Sequence, residues 1–204
     1  MKPMANYMPP EQFNQVIDAI PRLHIRKWKD EDIQMLFKLC YWCGLRISEA
    51  MKLSVEDFDV DHHQVFLGQT KTEKLGYATI SPLGLSEVRM YLMNKQGLLF
   101  PELTYGTVYK WIYRLGEMLH IKAWETSQKI SGEKTKTHIF RKTIGKDMMW
   151  GITDKDGRKA PLNVISEKLR HKGKNPLATT YLYLKMGIEG VKDWEYPEEK
   201  KDEE

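Results

Sequence analysis

Hydrophobic residues recur at helical spacing through most of this chain. After Pro9 and Pro10, apolar side chains return every three or four residues until Pro21, which predicts a first helix. Asp30 is the predicted N-cap of a second helix. The apolar stripe of that helix comprises Met35, Leu36, Leu39, Cys40 and Cys43. Further helical patterns cover 47–53, 85–96, 105–119, 138–150, 161–170 and 177–187.

Two short segments interrupt the helical pattern. Residues 63–67 and 77–80 favour short strands, and the segment between them is polar and bounded by glycines. This arrangement predicts a hairpin. The predicted fold class is therefore α+β, mainly helical with one small antiparallel sheet, in one compact domain.

The composition excludes several classes of protein. Of the 204 residues, 41% are hydrophobic and 29% are charged, which excludes wholesale disorder and low-complexity scaffolds. The mean hydropathy is −0.56 and no run of 18 apolar residues occurs, so we expect no membrane span. The N-terminus lacks the apolar segment of a secretory signal, and two cysteines cannot staple a chain of this size. We therefore expect a cytoplasmic protein.

The charge is distributed unevenly along the chain. The net charge is only +4, but residues 129–174 contain 13 lysines and arginines against 5 acidic residues. Residues 189–204 contain 8 acidic residues against 3 basic ones. A basic block followed by an acidic tail indicates a binding site for a polyanion and a separate, solvated end.

Several basic and polar residues lie where core packing does not explain them. Arg46 stands at a predicted helix break, with Glu49 three residues later. His138 and Arg141 are also three apart, so on a helix they share one face. His171 lies at the end of another predicted helix. Taken singly, each has an ordinary explanation as an exposed ion pair or a helix-end charge.

Taken together with a loop lysine and a tyrosine, these residues supply the groups that metal-free phosphoryl transfer requires. Arginines can donate two hydrogen bonds to the non-bridging oxygens, where charge accumulates in the transition state. Histidine or lysine can move a proton near neutral pH. A tyrosine hydroxyl can act as a nucleophile, although its ordinary pKa of ~10 means that nearby cations must favour the phenolate.

Five segments resemble the conserved boxes of the tyrosine recombinases, the phage integrase family, in the family's order. The string Gly-Leu-Arg-Ile-Ser-Glu at 44–49 is similar to the first box and precedes the predicted hairpin, as in the family. Thr-Lys-Thr at 70–72 resembles the lysine loop, and 137–142 contains the His-x-x-Arg box. Leu-Arg-His at 169–171 takes the place of Leu-Gly-His. Thr-Thr-Tyr-Leu-Tyr at 179–183 resembles the nucleophile box.

The resemblance implies a catalytic role for residues in each box. Tyr183 is the implied nucleophile, and Tyr181 is an alternative because the stretch from His171 is longer than usual. Lys71 is the implied acid that protonates the leaving oxygen, with Lys74 as its competitor. The remaining implied site residues are Arg46, Arg141 and His171 for the transition state, His138 as base, and Glu49 in support.

The same resemblance implies the organisation and the partners of the protein. We expect a short N-terminal helical segment at 1–29, a catalytic domain at 30–187 and an acidic tail at 188–204. The implied partner is double-stranded DNA, held by a tetramer on two DNA sites, with no cofactor, metal or ATP. The lysines expected to contact DNA are Lys74, Lys136, Lys142, Lys172 and Lys174.

Three questions stay open at the level of sequence. A type IB topoisomerase uses the same set of residues, and a DNA-binding module with a decayed site would keep their pattern. Arg170 replaces the family's glycine, which puts the shape of the turn before His171 in question. Cys40 and Cys43 form a Cys-x-x-Cys pattern, but they lie in an apolar stripe without a second pair, so packing is favoured over redox or zinc chemistry.

Overall fold

A computed structural model describes residues 8–69, 75–121, 124, 139–150, 158–170, 175–177 and 180. The side chains of residues 69, 75, 149 and 150 are not described. These residues form seven α-helices and three short 3-10 turns joined to one small sheet. The helices are α1 (Pro10–Ala19), α2 (Asp30–Trp42), α3 (Ile47–Ala50), α4 (Leu85–Leu92), α5 (Tyr105–Leu119), α6 (Ile139–Trp150) and α7 (Leu162–Lys168). The 3-10 turns are Ile20–Leu23, Val55–Asp57 and Pro82–Gly84.

The sheet is antiparallel and has three strands in the order β1-β2-β3. The strands are β1 (Phe58–Asp59), β2 (Gln64–Gln69) and β3 (Leu75–Thr79). Val65 pairs with Phe58 on one side and with Ala78 on the other, which places it in the middle of the sheet. The register shifts between Phe66 and Gln69. Val65 and Ala78 are both buried, so this face of the sheet forms part of the hydrophobic core.

Local sequence explains where three of these helices begin. Pro10 is the first residue of α1, a position where the missing N–H group of proline costs nothing. The first turn of α2 carries three carboxylates, which favour the positive end of the helix dipole. At α5, the Thr104 hydroxyl accepts a hydrogen bond of 3.2 Å from the backbone N–H of Thr107.

Aromatic side chains from distant parts of the sequence form the centre of the core. Phe140 of α6 packs 5.1 Å from the Phe37 ring and 5.5 Å from the Trp124 ring, measured between centroids. Phe13 of α1 contacts both Phe140 and Tyr41, at 5.8 Å and 4.5 Å. The core therefore joins α1, α2 and α6. Within the described part of the chain, no helix is both long and apolar enough to span a bilayer.

The architecture confirms the predicted class, and some element boundaries differ from the predictions. The helix at 105–119 and the hairpin are found as predicted, and α1 ends directly before the turn that contains Pro21. The prediction that Asp30 caps α2 is wrong, because Lys29 is the N-cap and Asp30 is the first helical residue. Strand β1 was not predicted, and α3 and α4 are shorter than expected. The helix predicted at 177–187 lies almost wholly outside the described residues.

Candidate active site

A left-handed turn at Gly44 connects α2 to α3 and is the centre of the candidate site. Gly44 has φ +61, a conformation that residues with a side chain rarely adopt. Its carbonyl oxygen accepts a 2.6 Å hydrogen bond from Nη1 of Arg141 on α6. A second, longer contact of 3.4 Å comes from Nη2 of Arg170, which follows α7. Two arginines from the basic block therefore meet at one backbone carbonyl.

The carboxylate of Glu49 lies beside this turn and joins two arginines. Its Oε1 accepts a 2.6 Å bond from Nη1 of Arg46, and its Oε2 accepts bonds from the Arg46 backbone N–H at 2.8 Å and from Arg170 Nη2 at 2.6 Å. Burial pushes the pKa of the Glu49 carboxyl upward, but the charge of Arg170 and the hydrogen bonds from Arg46 outweigh it. The pKa of Glu49 is lower than usual as a result, so this group is ionised at neutral pH.

Arg170 adopts the conformation that a glycine would take at the end of α7. Its φ is +48, and its backbone N–H binds the carbonyl of Glu167 at 2.9 Å. The turn before His171 therefore retains the left-handed form, although the residue is arginine. Only 10% of the Arg170 side chain is exposed, and burial lowers the pKa of this guanidinium while Glu49 opposes that effect.

Lys168, two residues earlier, connects the site to the sheet. Its ammonium donates to the carbonyl of Trp42 at 2.9 Å and to both the carbonyl and the hydroxyl of Thr79, the last residue of β3. Burial lowers the pKa of Lys168 to about 8. The segment that ends α7 thus contacts α2, α3 and β3 through two side chains.

Helix α6, which carries Arg141, is polar and yet buried. Arg141 is 1% exposed, and Thr143 and Asp147 are also buried. The Tyr41 hydroxyl donates a 2.6 Å hydrogen bond to the Asp147 carboxylate, and the backbone N–H of Met8 donates to the Thr143 hydroxyl at 3.1 Å. These contacts fix α6 against α2 and against the segment before α1.

Of the predicted site residues, the described part of the chain brings together Arg46, Glu49 and Arg141. Arg46 and Arg141 are connected through Glu49, Arg170 and the Gly44 carbonyl. Lys142 is described but lies elsewhere. The remaining predicted site residues lie outside the described residues, and these are Lys71, Lys74, Lys136, His138, His171, Lys172, Lys174, Tyr181 and Tyr183.

One predicted DNA contact does not fit the structure. Lys142 was expected to reach a duplex, but only 6% of it is exposed because it lies on the buried helix α6. We therefore assign Lys142 to the interior. The structure also adds two residues that the sequence did not identify as part of the site, Arg170 and Lys168. The signal for Arg170 was its substitution for glycine, and Lys168 differed in no way from the other lysines of the basic block.

The two cysteines behave as core residues. Both thiols are fully buried. Burial raises the pKa of the Cys43 thiol to about 11, and it also raises the pKa of the Cys40 thiol well above its usual value. No cluster of histidine, cysteine or acidic side chains able to hold a metal occurs among the residues that the structure describes. The site offers guanidinium donors beside the left-handed Gly44 turn, and guanidinium groups bind oxyanions such as phosphate well.

Comparison with known proteins agrees with the segments singled out in the sequence. The profile of the family described as "Phage integrase family" matches residues 6–185. No curated protein matches the chain.

Solved structures share the fold. The XerH site-specific recombinase bound to difH substrate aligns with a TM-score of 0.62 and 18% identity, over 87% of this chain and 49% of that one. The catalytic domain of the bacteriophage HP1 integrase aligns with a TM-score of 0.57 and 18% identity, over 91% and 90% of the two chains. The Tn1549 transposon integrase in complex with a circular intermediate DNA aligns with a TM-score of 0.59 and 14% identity, over 90% of this chain and 62% of that one. The chain thus spans about half the length of XerH and nearly all of the HP1 catalytic domain.

Proposed function

The chain belongs to the phage integrase family, and from that membership we propose that it is a site-specific DNA recombinase that cleaves and rejoins strands through a 3′-phosphotyrosyl intermediate. The observation that carries this proposal is the convergence of Arg46, Glu49 and Arg141 on the Gly44 turn. Arg46 and Glu49 stand at the start of α3, whereas Arg141 comes from α6, far away in the sequence. A phosphate-binding site requires that such guanidinium groups be brought close together.

The proposed reaction is a transesterification that conserves the number of phosphoester bonds. The phenol oxygen of Tyr183 attacks the scissile phosphorus, and its proton passes to His138. The bond from phosphorus to the 5′-oxygen breaks, and Lys71 protonates that oxygen. A 5′-hydroxyl from a second DNA end then attacks the phosphotyrosine and releases the enzyme, so neither ATP nor a metal is required.

Arg46 and Arg141, with His171, are proposed to stabilise the charge that develops on the non-bridging oxygens. The side chain of Arg46 is 43% exposed and can receive a phosphate directly. Arg141 is 1% exposed, so its part requires the residues that cover it to move when DNA binds. Loss of one such donor is expected to reduce the cleavage rate by ~10²–10³-fold.

Double-stranded DNA is the proposed partner, in a tetramer on two sites. The matched structures of XerH and of the Tn1549 integrase are complexes with DNA, which supports this proposal. The chain covers only 49% of XerH, so the proposed tetramer rests on membership of the family and not on contacts within this structure. The division into segments 1–29, 30–187 and 188–204 is likewise part of the proposal.

The test is covalent trapping on nicked DNA. A library of nicked duplexes with a randomised central segment avoids the need to know the target sequence. Cleavage beside the nick releases a short fragment that diffuses away, so the strand cannot be rejoined and the protein stays attached to the DNA. We expect a complex that resists detergent, with the DNA mapped by peptide analysis to Tyr183. Tyr183→Phe should bind the library and never trap, whereas the matched variant Tyr181→Phe should trap normally.

The other outcomes identify the alternatives. Trapping that disappears with Tyr181→Phe and persists with Tyr183→Phe would move the nucleophile to Tyr181. Relaxation of supercoiled plasmid without paired sites would identify a topoisomerase. Binding without any trapping would identify a DNA-binding module with a decayed site and refute the proposed reaction.

A further inference from the structure

Arg170, which follows α7, forms an enclosed ion pair with Glu49 of α3. The two residues are 121 positions apart, and their Nη2 and Oε2 atoms lie 2.6 Å from each other. Only 10% of the Arg170 side chain and 13% of the Glu49 side chain are exposed. A contact this enclosed is well shielded from water and salt, unlike an ordinary surface ion pair.

The backbone at Arg170 is strained for any residue with a side chain. At φ +48 a glycine would fit without cost, whereas an L-residue crowds its own carbonyl. The end of a helix therefore favours glycine at this position for local reasons. An arginine held there against that preference must be supported by the contacts of its guanidinium, and those contacts are Glu49 and the Gly44 carbonyl.

Arg170 acts on Arg46 through Glu49. The Arg46 guanidinium binds Oε1 of Glu49, and Oε2 accepts bonds from both the Arg46 backbone N–H and Arg170. A carboxylate held from both sides cannot rotate freely, so the direction of the Arg46 guanidinium depends on Arg170. Since Arg170 also contacts the carbonyl that Arg141 binds, it touches the supports of both predicted catalytic arginines.

We propose that Arg170 is a positioning residue, which clamps Glu49 and thereby holds the Arg46 guanidinium in place for the scissile phosphate. The inference rests on the proposed function for its consequence in catalysis, but the clamp itself is independent of DNA. Arg170 does not need to touch the substrate. Its task is to remove the freedom of Glu49, so that Arg46 does not have to be ordered during the reaction.

A DNA-free measurement tests the clamp. The carboxyl carbon of Glu49 is followed by carbon-13 NMR during an acid titration of the wild type, Arg170→Gly and Arg170→Lys. Glycine suits the left-handed turn, so Arg170→Gly should fold. We expect the Glu49 titration midpoint to rise in Arg170→Gly, because one of its two guanidinium partners is lost, and to return toward the wild-type value in Arg170→Lys. An exposed control is Arg89→Ala, which removes the ion pair with Asp61 and should leave Glu49 unchanged.

A cleavage assay tests the consequence. On the nicked library, Arg170→Gly should cleave ~10–10²-fold more slowly than the wild type. The acid limb of its pH profile should move in the same direction as the Glu49 midpoint. Glu49→Gln combined with Arg170→Gly should be little slower than Glu49→Gln alone, because both changes disable one unit.

Each result decides a separate point. An unshifted Glu49 midpoint in Arg170→Gly would overturn the clamp. A shifted midpoint with a wild-type cleavage rate and pH profile would overturn the positioning role. A wild-type protein that does not cleave at all would refute the proposed function, while the midpoint would still decide whether Arg170 controls Glu49.

Discussion

Replacement of Gly44 by alanine tests the turn on which the candidate site is built. A Cβ atom on Gly44 would lie 3.5 Å from the Lys168 carbonyl oxygen and 3.6 Å from Cγ2 of Ile144, which are ordinary contact distances. The cost is therefore the left-handed backbone alone. At φ +61 this costs ~1–2 kcal/mol, partly offset because alanine also restricts the unfolded chain. We expect a net loss of about 1 kcal/mol, or roughly 2–4 °C in Tm for a chain of this size.

Gly97→Ala is the matched control for this prediction. Gly97 has the same φ of +61 and nothing within 4 Å of its Cβ position, so the loss of stability should be the same within about 0.5 kcal/mol. Only Gly44→Ala should slow cleavage, by ~10-fold or more, because its carbonyl orients Arg141. Thermal unfolding followed by circular dichroism and single-turnover trapping measure the two effects. Equal cleavage by the two variants would refute the link between the turn and the site.

Two further predictions concern packing and pH. Gly116→Ala should lower the free energy of unfolding, measured in urea, by ~1–3 kcal/mol, because the added Cβ would lie 2.4 Å from Cβ of Trp124. Gly106→Ala on the same helix is the control: its Cβ would meet open space, so this variant should not be destabilised. Burial lowers the pKa of Lys168 to about 8, so between pH 8 and 10.5 the unfolded chain binds more protons and stability should rise with pH. The expected rise in the free energy of unfolding is about 1–2 kcal/mol. The raised pKa of the Cys43 thiol has the opposite effect, so the contribution of Lys168 is obtained by subtracting the stability profile of Lys168→Met from that of the wild type. A flat difference profile would contradict the assignment.

The sequence predicted those elements whose boundaries depend on local chemistry. Helix α5 was placed correctly because its apolar spacing begins directly after a capping threonine. Helix α4 ends at Leu92, four residues before the predicted end, and the next residue, Met93, is 77% exposed. Of residues 93–96 only Met93 is apolar, and because it is exposed it gives a further turn no contact with the core. Strand β1 has two residues, too few for any alternation to be visible.

The contacts of the candidate site also fall into those that local spacing predicts and those that it does not. Arg46 and Glu49 are three residues apart on one turn, so their pairing follows from spacing alone. The bond from Arg141 to the Gly44 carbonyl spans 97 positions, and that from Arg170 to Glu49 spans 121. Only the resemblance to a family brought Arg141 to the site. Nothing in the local pattern indicates that Arg170 would keep the backbone of a glycine and use its side chain across the fold.

The contact between Lys168 and Thr79 has a mechanical consequence for the hairpin. Thr79 is the end of β3 nearest the helices, so the ammonium anchors one end of the sheet and leaves the opposite end, at Gln69 and Leu75, without that restraint. Because the same ammonium also binds the Trp42 carbonyl, it links the base of the hairpin to the end of α2, next to the Gly44 turn.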